Sequence, residues 1–219
     1  MCRKHDIAID ERLLETAVDQ FGRHGFDGAS TRAIAAAAGT AMSSITYHYG
    51  GKEGLYIATA HHIAGKVRER MAGPVSEARA RIEARPDADS AIAALLKIID
   101  GFVQVMTSAE SAAWSRFIVR EQMAPTAAFE ILYSEMMRGV AGLGVGLLIA
   151  ISGGRIDEAE AKVRVLAMFG QVLVFRVARA TVINLTGWSE VGPHEAAAVR
   201  ATVRTHMTAI LNDLRGDRP

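Results

Sequence analysis

Residues 30–52 read STRAIAAAAGTAMSSITYHYGGK, and this stretch decides the fold. Ser30 stands before an alanine-rich run, Thr31 to Ala38, where its hydroxyl can accept from a free N–H of the first helical turn. Gly39 offers a left-handed stop. After a tight turn a second short helix is expected over Met42 to His48. Its outward set is Ser43, Ser44, Thr46, Tyr47 and His48, while Ile45 and Tyr49, four residues apart, face inward. Two short helices around a tight turn outline a helix-turn-helix, a unit whose first helix crosses the DNA backbone and whose second lies in the major groove.

Working outward, the chain before this unit predicts a helix over roughly Ile7 to His24. Leu13, Leu14, Ala17, Val18 and Phe21 recur at helical spacing, and Gly25 is placed to end the helix in a left-handed turn. In such an ending Phe21 and Phe26 occupy the two positions that touch. On the other side a helix is expected from Lys52 to Met71, with Tyr56, Ala60, Ile63, Val67 and Met71 along one face and Gly73-Pro74 as its stop. Lys52 in a first turn is unfavourable for the helix dipole, which points to a partner outside the fold.

Between Leu13 and Tyr56 the chain resembles the DNA-binding domain of TetR-family transcriptional regulators. The residues that carry the resemblance are FGRHGF at 21–26, TRAIAAAAG at 31–39 and YHYGGKEGLY at 47–56. Ala33, Ala41 and Thr46 depart from the family pattern, the first two at helix ends and the third at a base-reading position. The resemblance implies an all-α fold, with an N-terminal three-helix DNA-binding domain and a C-terminal helical domain for ligand binding and dimerisation. It implies a double-stranded operator, a small-molecule effector and a homodimer as partners. Thr31 would then contact the DNA backbone and Arg32 backbone or base. Met42, Ser43, Ser44, Thr46, Tyr47 and His48 would sit at the groove, and Lys52 on a phosphate. Short side chains such as Ser43 and Thr46 make single, methyl or water-bridged base contacts, so discrimination per residue should be modest.

Composition sets the outer bounds. The chain has 219 residues, half of them hydrophobic, which suits a small reader joined to a larger helical body. A division into residues 1–52, 53–72 and 73–219 is expected: reader, connecting helix and body. A single cysteine, Cys2, excludes an internal disulfide and fits a reducing compartment, so a cytoplasmic protein is expected. The first residues show no basic segment followed by an apolar one, so export is not expected. The uncharged run Gly139 to Gly154 is shorter than the ~20 residues of a membrane span. Net charge is only +1, yet between Gly28 and Lys52 stand two bases, Arg32 and Lys52, and no acid. The positive field is therefore local.

The body reads as five or six helices. Asp89 or Ser90 is placed to cap one carrying Ile92, Leu95, Leu96, Ile99, Phe102, Val103 and Met106. Ser108 caps the next, with Trp114, Phe117, Ile118 and the anomalous Glu121 on one face, and Pro125 suits a first helical position after the break. In the glycine-spaced run, Gly142 and Gly146 would admit a neighbouring backbone. Asp157 with Glu160 opens a long helix to about Asn184, apolar around most of its circumference. A last helix, His194 to Leu214, repeats Val199, Val203, Met207, Ile210 and Leu214. These last two helices predict a four-helix seam between two subunits.

Polar and aromatic groups on otherwise apolar faces suggest an amphipathic pocket from Phe102, Met106, Trp114, Phe117, Arg120, Glu121, Tyr133, Gln171, Phe175 and Arg176. The plainer alternative is core packing with internal ion pairs, for instance Glu121 with Arg176. His61 and His62 are adjacent and face different sides, which disfavours a shared metal. No phosphate loop, metal-ligand cluster or nucleophile–base arrangement is present, so neither cofactor nor enzymatic activity is expected. The reading is a ligand-relieved dimeric repressor. The alternatives are a DNA-bound scaffold that recruits a protein without a small ligand, and a helical enzyme with an incidental helix-turn-helix.

Overall fold

The computed structural model describes residues 2–216, with side chains from residue 10 onward. Among the described residues every regular element is helical: α1 (Cys2–Gly28), α2 (Thr31–Ala38), α3 (Met42–Tyr49), α4 (Lys52–Glu83), α5 (Ala88–Thr107), α6 (Ser111–Met123), α7 (Ala127–Leu132), a π-turn (Tyr133–Met137), α8 (Arg138–Ile151), α9 (Glu158–Val177), α10 (Arg179–Thr186) and α11 (Pro193–Arg215). They gather into two compact units. Unit one holds the chain up to Lys66 together with Ala112–Met136; unit two holds Val67–Ser111 and everything after Met136.

In unit one, Leu13, Ala17, Val18 and Phe21 of α1 are buried with Ile34 and Ala38 of α2, Ile45 of α3, and Leu55, Ala60 and Ile63 of α4. Tyr56 is the hub of the aromatic part. Its ring meets Phe21 edge-on at 4.8 Å, Phe26 at 5.2 Å and Phe117 of α6 at 4.8 Å. Phe21 and Phe26 do approach, at 6.5 Å between ring centres. The turn that joins them differs from expectation. Gly25 has φ 72 and ψ −179, a positive-φ conformation open to glycine but outside the left-handed helical well, so α1 is interrupted there without a left-handed cap, before one more helical turn to Gly28.

α4 also departs from expectation. It does not stop at Gly73-Pro74 but continues through Pro74 to Glu83. Proline costs a helix one N–H and a clash with the preceding turn. Here tertiary contact holds the helix together: a Cβ built on Gly101 of α5 would meet Pro74 Cγ and Met71 Sδ, each at 3.2 Å, so the helices touch at their smallest residue. Arg85, with φ 53, and Pro86 then end the element.

Unit two is built around α5, which packs against α8, α9 and α11. Its cap is Asp87, two residues before the expected position, with the carboxylate accepting Ser90 N–H at 2.7 Å. α7 likewise takes its cap from Thr126, leaving Pro125 outside the helix. Asp157 caps α9, accepting Glu160 N–H at 2.8 Å, but the expected capping box is half made, since the Glu160 carboxylate accepts from Arg164 Nε at 2.8 Å and Nη2 at 2.7 Å. By length and composition Ala88–Thr107 and Ala127–Ile151 are each apolar enough to cross a membrane, which a count of uncharged residues does not register. In α5 that apolar surface is buried within the unit, from Ala91 to Met106.

Three further details of unit two are corrections. The close approaches in α8 are to side chains and not to a backbone: a Cβ added at Gly144 would sit 3.1 Å from Val165 Cγ2 and one at Gly146 3.2 Å from Ile82 Cδ1, while Gly142 has open space. The long helix expected to Asn184 breaks at Ala178 and bends by 77° into α10. Finally, Val199, Val203, Met207 and Leu214 are buried inside the unit, where α11 packs on α5, so the stripe expected at a subunit seam is already covered. The uncovered apolar stripe lies on α9, at Val163, Leu166, Leu173, Val174 and Val177.

Candidate nucleic-acid interface

α2 begins as its sequence dictates: Ser30 is extended and its Oγ accepts Ala33 N–H at 3.4 Å. Gly39 closes it at φ 66, ψ 35, sending its N–H to Ala36 O, while Thr40 N–H reaches Ala35 O. Any other residue would strain this left-handed position. α3 follows with Ala41 as an N-cap that offers no side-chain bond. Ile45 is the buried residue of α3, and Tyr49 is half-buried, its hydroxyl donating to Asp10 on α1. Burial, and then that carboxylate, push the Tyr49 phenol above its ordinary range.

Most of the rest of α3 is turned outward. Met42, Ser43, Thr46, Tyr47 and His48 are exposed, Tyr47 by 85%, and Ser44 is half-buried, accepting Thr40 Oγ1–H at 3.1 Å. Tyr47 and His48 meet edge-on at 4.9 Å. Arg32 is exposed at the start of α2 beside the half-buried Thr31. Lys52 has partners inside the fold, contrary to expectation: its Nζ donates to Asp27 O at 3.2 Å and lies 4.8 Å from the Phe26 ring centre. That removes the dipole argument for an external partner, because a carbonyl and a ring face already hold the ammonium. Two of its three donors are left for another acceptor. Sequence reasoning passed over Arg12 of α1, whose guanidinium lies over Gly39 and would meet a Cβ there at 3.4 Å.

An outward polar helix of eight residues, preceded by a crossing helix and framed by cations, is the geometry of a major-groove reader. Profiles of known families bear on it directly. That of bacterial regulatory proteins of the tetR family matches residues 13–59, and that of the C-terminal domain of the HTH-type transcriptional dual regulator CecR matches residues 91–214. CecR of Shigella flexneri is 31% identical over 206 residues, which are 93% of this chain and 92% of CecR. The chain belongs to the TetR family of bacterial transcriptional regulators.

Two further relatives place the TetR-family likeness by segment. RaaS, a transcriptional regulatory protein of Mycobacterium tuberculosis, is 43% identical over 70 residues, 32% of either chain. FadR of Bacillus subtilis, solved in complex with stearoyl-CoA, is alike in fold, with a TM-score of 0.60 over 90% of this chain and 96% of FadR at 17% identity. This TetR-family chain is therefore a DNA-binding transcriptional regulator with an N-terminal helix-turn-helix domain and a C-terminal helical domain.

The ten residues predicted for a TetR-type effector pocket fall into both units, five in each. In unit one, Trp114 and Phe117 are buried, and Arg120 donates to Gly22 O at 2.9 Å and Arg23 O at 2.7 Å. Glu121, 1% exposed, accepts Tyr56 Oη–H at 2.6 Å, Thr126 N–H at 3.0 Å and Thr126 Oγ1–H at 2.9 Å. Burial, and then that carboxylate, raise the Tyr56 phenol above its ordinary range. Tyr133 is exposed and stacks on Phe129 at 6.0 Å.

In unit two, Phe102 meets Phe169 edge-on at 5.1 Å, Met106 is buried, and Gln171 and Phe175 are half-buried. Arg176 does not pair with Glu121. Its guanidinium donates to Met106 O at 2.7 Å, to Ser108 O and to Ser111 Oγ at 2.7 Å, so it caps the carbonyl end of α5. Burial, and then neighbouring Arg179, lower the Arg176 pKa. A cleft of about 380 Å³ in unit two lies between Pro74, Glu77, Lys97, Asp100, Gln104 and Arg200, and none of the ten residues lines it.

Proposed function

We propose that the chain is a dimeric repressor, released from a near-palindromic operator when a small molecule occupies its helical body. The observation that carries the reading is α3, on which Met42, Ser43, Thr46, Tyr47 and His48 are exposed, Ser44 is half-buried and Ile45 is buried. On this reading residues 1–52 read DNA, 53–72 connect and 73–219 take the effector and dimerise. Thr31, Arg32 and Lys52 hold phosphates. Met42, Ser43, Ser44, Thr46, Tyr47 and His48 face the bases of one half-site, and two α3 helices stand ~34 Å apart, one turn of DNA.

Dimerisation is supported by the exposed stripe Val163, Leu166, Leu173, Val174 and Val177 of α9, apolar surface that a lone subunit leaves in water. Small exposed residues of α11, among them Ala198, Thr202, Thr205 and Ala209, would let a second helix pair come close. For the effector, the half-buried Phe102, Gln171 and Phe175 supply rings and an amide, while the buried Met106 and Arg176 are engaged within the unit and would back such a pocket. An effector that favours one arrangement of α4 weakens operator binding by its differential affinity for the two states, and the operator weakens the effector equally. Such a regulator works where the chromosome is, in the cytoplasm.

The test is selection of bound duplexes from a random-sequence library by the purified protein. Recovery of a two-fold related consensus is expected, as is loss of its binding on Tyr47→Ala with the dimer intact. A consensus without symmetry, or unchanged binding by Tyr47→Ala, overturns the reading. One observation favours a second reading, a DNA-bound scaffold for a protein partner: the same apolar stripe on α9 could be covered by another protein. Sedimentation decides, since a chain monomeric at micromolar concentration would leave that stripe to a different partner.

A further inference from the structure

Arg12 stands just before residues 13–59, the span matched by the family profile, and well before the helix-turn-helix itself. Its side chain is exposed on α1, and its guanidinium lies across Gly39, where an added Cβ would sit 3.4 Å from Nη2 and 3.8 Å from Cζ. The neighbouring acids are engaged elsewhere: Asp10 accepts the Tyr49 hydroxyl, and Glu11 pairs with Lys66 at 2.6 Å. Among the described residues the Arg12 guanidinium has no carboxylate partner.

Gly39 is the turn between the helix that crosses the backbone and the helix that enters the groove, so this turn lies at the groove's edge, beside the phosphates. Arg32 marks the start of α2 and Lys52 the start of α4. Residues 28–52 contain Arg32 and Lys52 and no acid, and Arg12, from α1, would add a third cation beside α3. We propose that Arg12 is a DNA-backbone contact, its guanidinium donating to a phosphate oxygen across the α2–α3 turn. This rests on α3 being the reading helix. The glycine is required for its backbone conformation, and a Cβ there would rest in ordinary van der Waals contact with the guanidinium.

The probe is a labelled duplex selected from a random-sequence library by the wild-type protein, titrated by fluorescence anisotropy between about 50 and 200 mM salt. Each phosphate contact contributes about 0.9 to the slope of log K against log salt, so Arg12→Gln should flatten the slope by about 1.8 per dimer. Arg12→Lys should keep it. An unchanged slope in Arg12→Gln, or an equal loss in Arg12→Lys, overturns the assignment. A thermal midpoint within about 4 °C of wild type establishes that the variant is folded. If Arg12→Gln fails that criterion, Arg12→Met, which keeps the aliphatic stem over Gly39, replaces it.

Tyr47→Ala is titrated alongside and should weaken the selected duplex while leaving the slope intact. Weakened binding by Tyr47→Ala with an unchanged slope in Arg12→Gln removes Arg12 alone. No effect from either variant removes the reading of α3 itself.

Discussion

Glu121 illustrates what a single residue discloses before and after folding. On the apolar face of α6 it stands out in the sequence as the odd member, yet its partner Tyr56 is 65 residues away and on a different helix. Both carboxylate oxygens are occupied, Oε1 by Tyr56 and Oε2 by Thr126, so the charge is held by three donors in a buried place. Glu121→Ala should therefore cost about 2–3 kcal/mol in a urea melt, because the buried Tyr56 hydroxyl and Thr126 N–H lose their acceptor. Glu121→Gln, which keeps a carbonyl for Tyr56, should cost less. A loss as large in Gln as in Ala would mean that charge, and not acceptance, holds the site.

Asp87 gives a pH prediction at the same scale. Its hydrogen bonds from Ser90, backbone first, lower its pKa in the folded chain. A lowered folded pKa means that the stabilisation is full above the unfolded value, about 3.9, and is lost as pH falls through the folded one. Wild type should be more heat-stable than Asp87→Asn at neutral pH, and the gap should close below about pH 4. A gap constant down to pH 2 would show the cap to be independent of the charge.

At the scale of elements, what depends on neighbours in sequence was legible. Ser30, Gly39, Asp157 and the limits of α2 follow from local capping chemistry, and each stands where the residues put it. Gly39→Ala should cost about 1–2 kcal/mol in thermal unfolding, the penalty of a Cβ in a left-handed position. Proline's local meaning failed at Pro74, because the decision there belongs to Gly101 on the next helix. Gly101→Leu should cost about 1–3 kcal/mol by overpacking that contact and should shift the urea midpoint downward. No shift would mean that α4 and α5 can part without loss. The break at Ala178 has neither glycine nor proline to announce it; Arg176 next to it is tied to the carbonyls that end α5.

For the whole molecule, periodicity revealed that α9 and α11 each carry apolar stripes, but not what covers them. The α11 stripe is spent on α5, while on α9 Leu166 is 70% exposed and Val163 67%. Leu166→Glu should leave the fold intact and weaken self-association by about 100-fold or more, since two-fold symmetry would desolvate the charge twice. Sedimentation velocity would show the monomer. Persistence of the dimer would place the seam elsewhere. The candidate site divides in the same way: the exposed residues of α3 sit in one short stretch and their outward face was readable, whereas the approach of Arg12 to Gly39 and the partners of Lys52 arise only on folding.

Unit one is assembled from two lengths of chain, with α6 and α7 closing over α1 and α4 around Tyr56. A ribosome has released all of the helix-turn-helix long before it reaches Phe117, so the nascent reader waits with Phe21 and Tyr56 uncovered by α6 until about sixty residues beyond Tyr56 have emerged. At 5–20 residues per second that is an interval of several seconds. During it the emerging domain is a substrate for chaperones, and a gene truncated after α4 should yield a sticky, aggregation-prone fragment and not a free DNA-binding module.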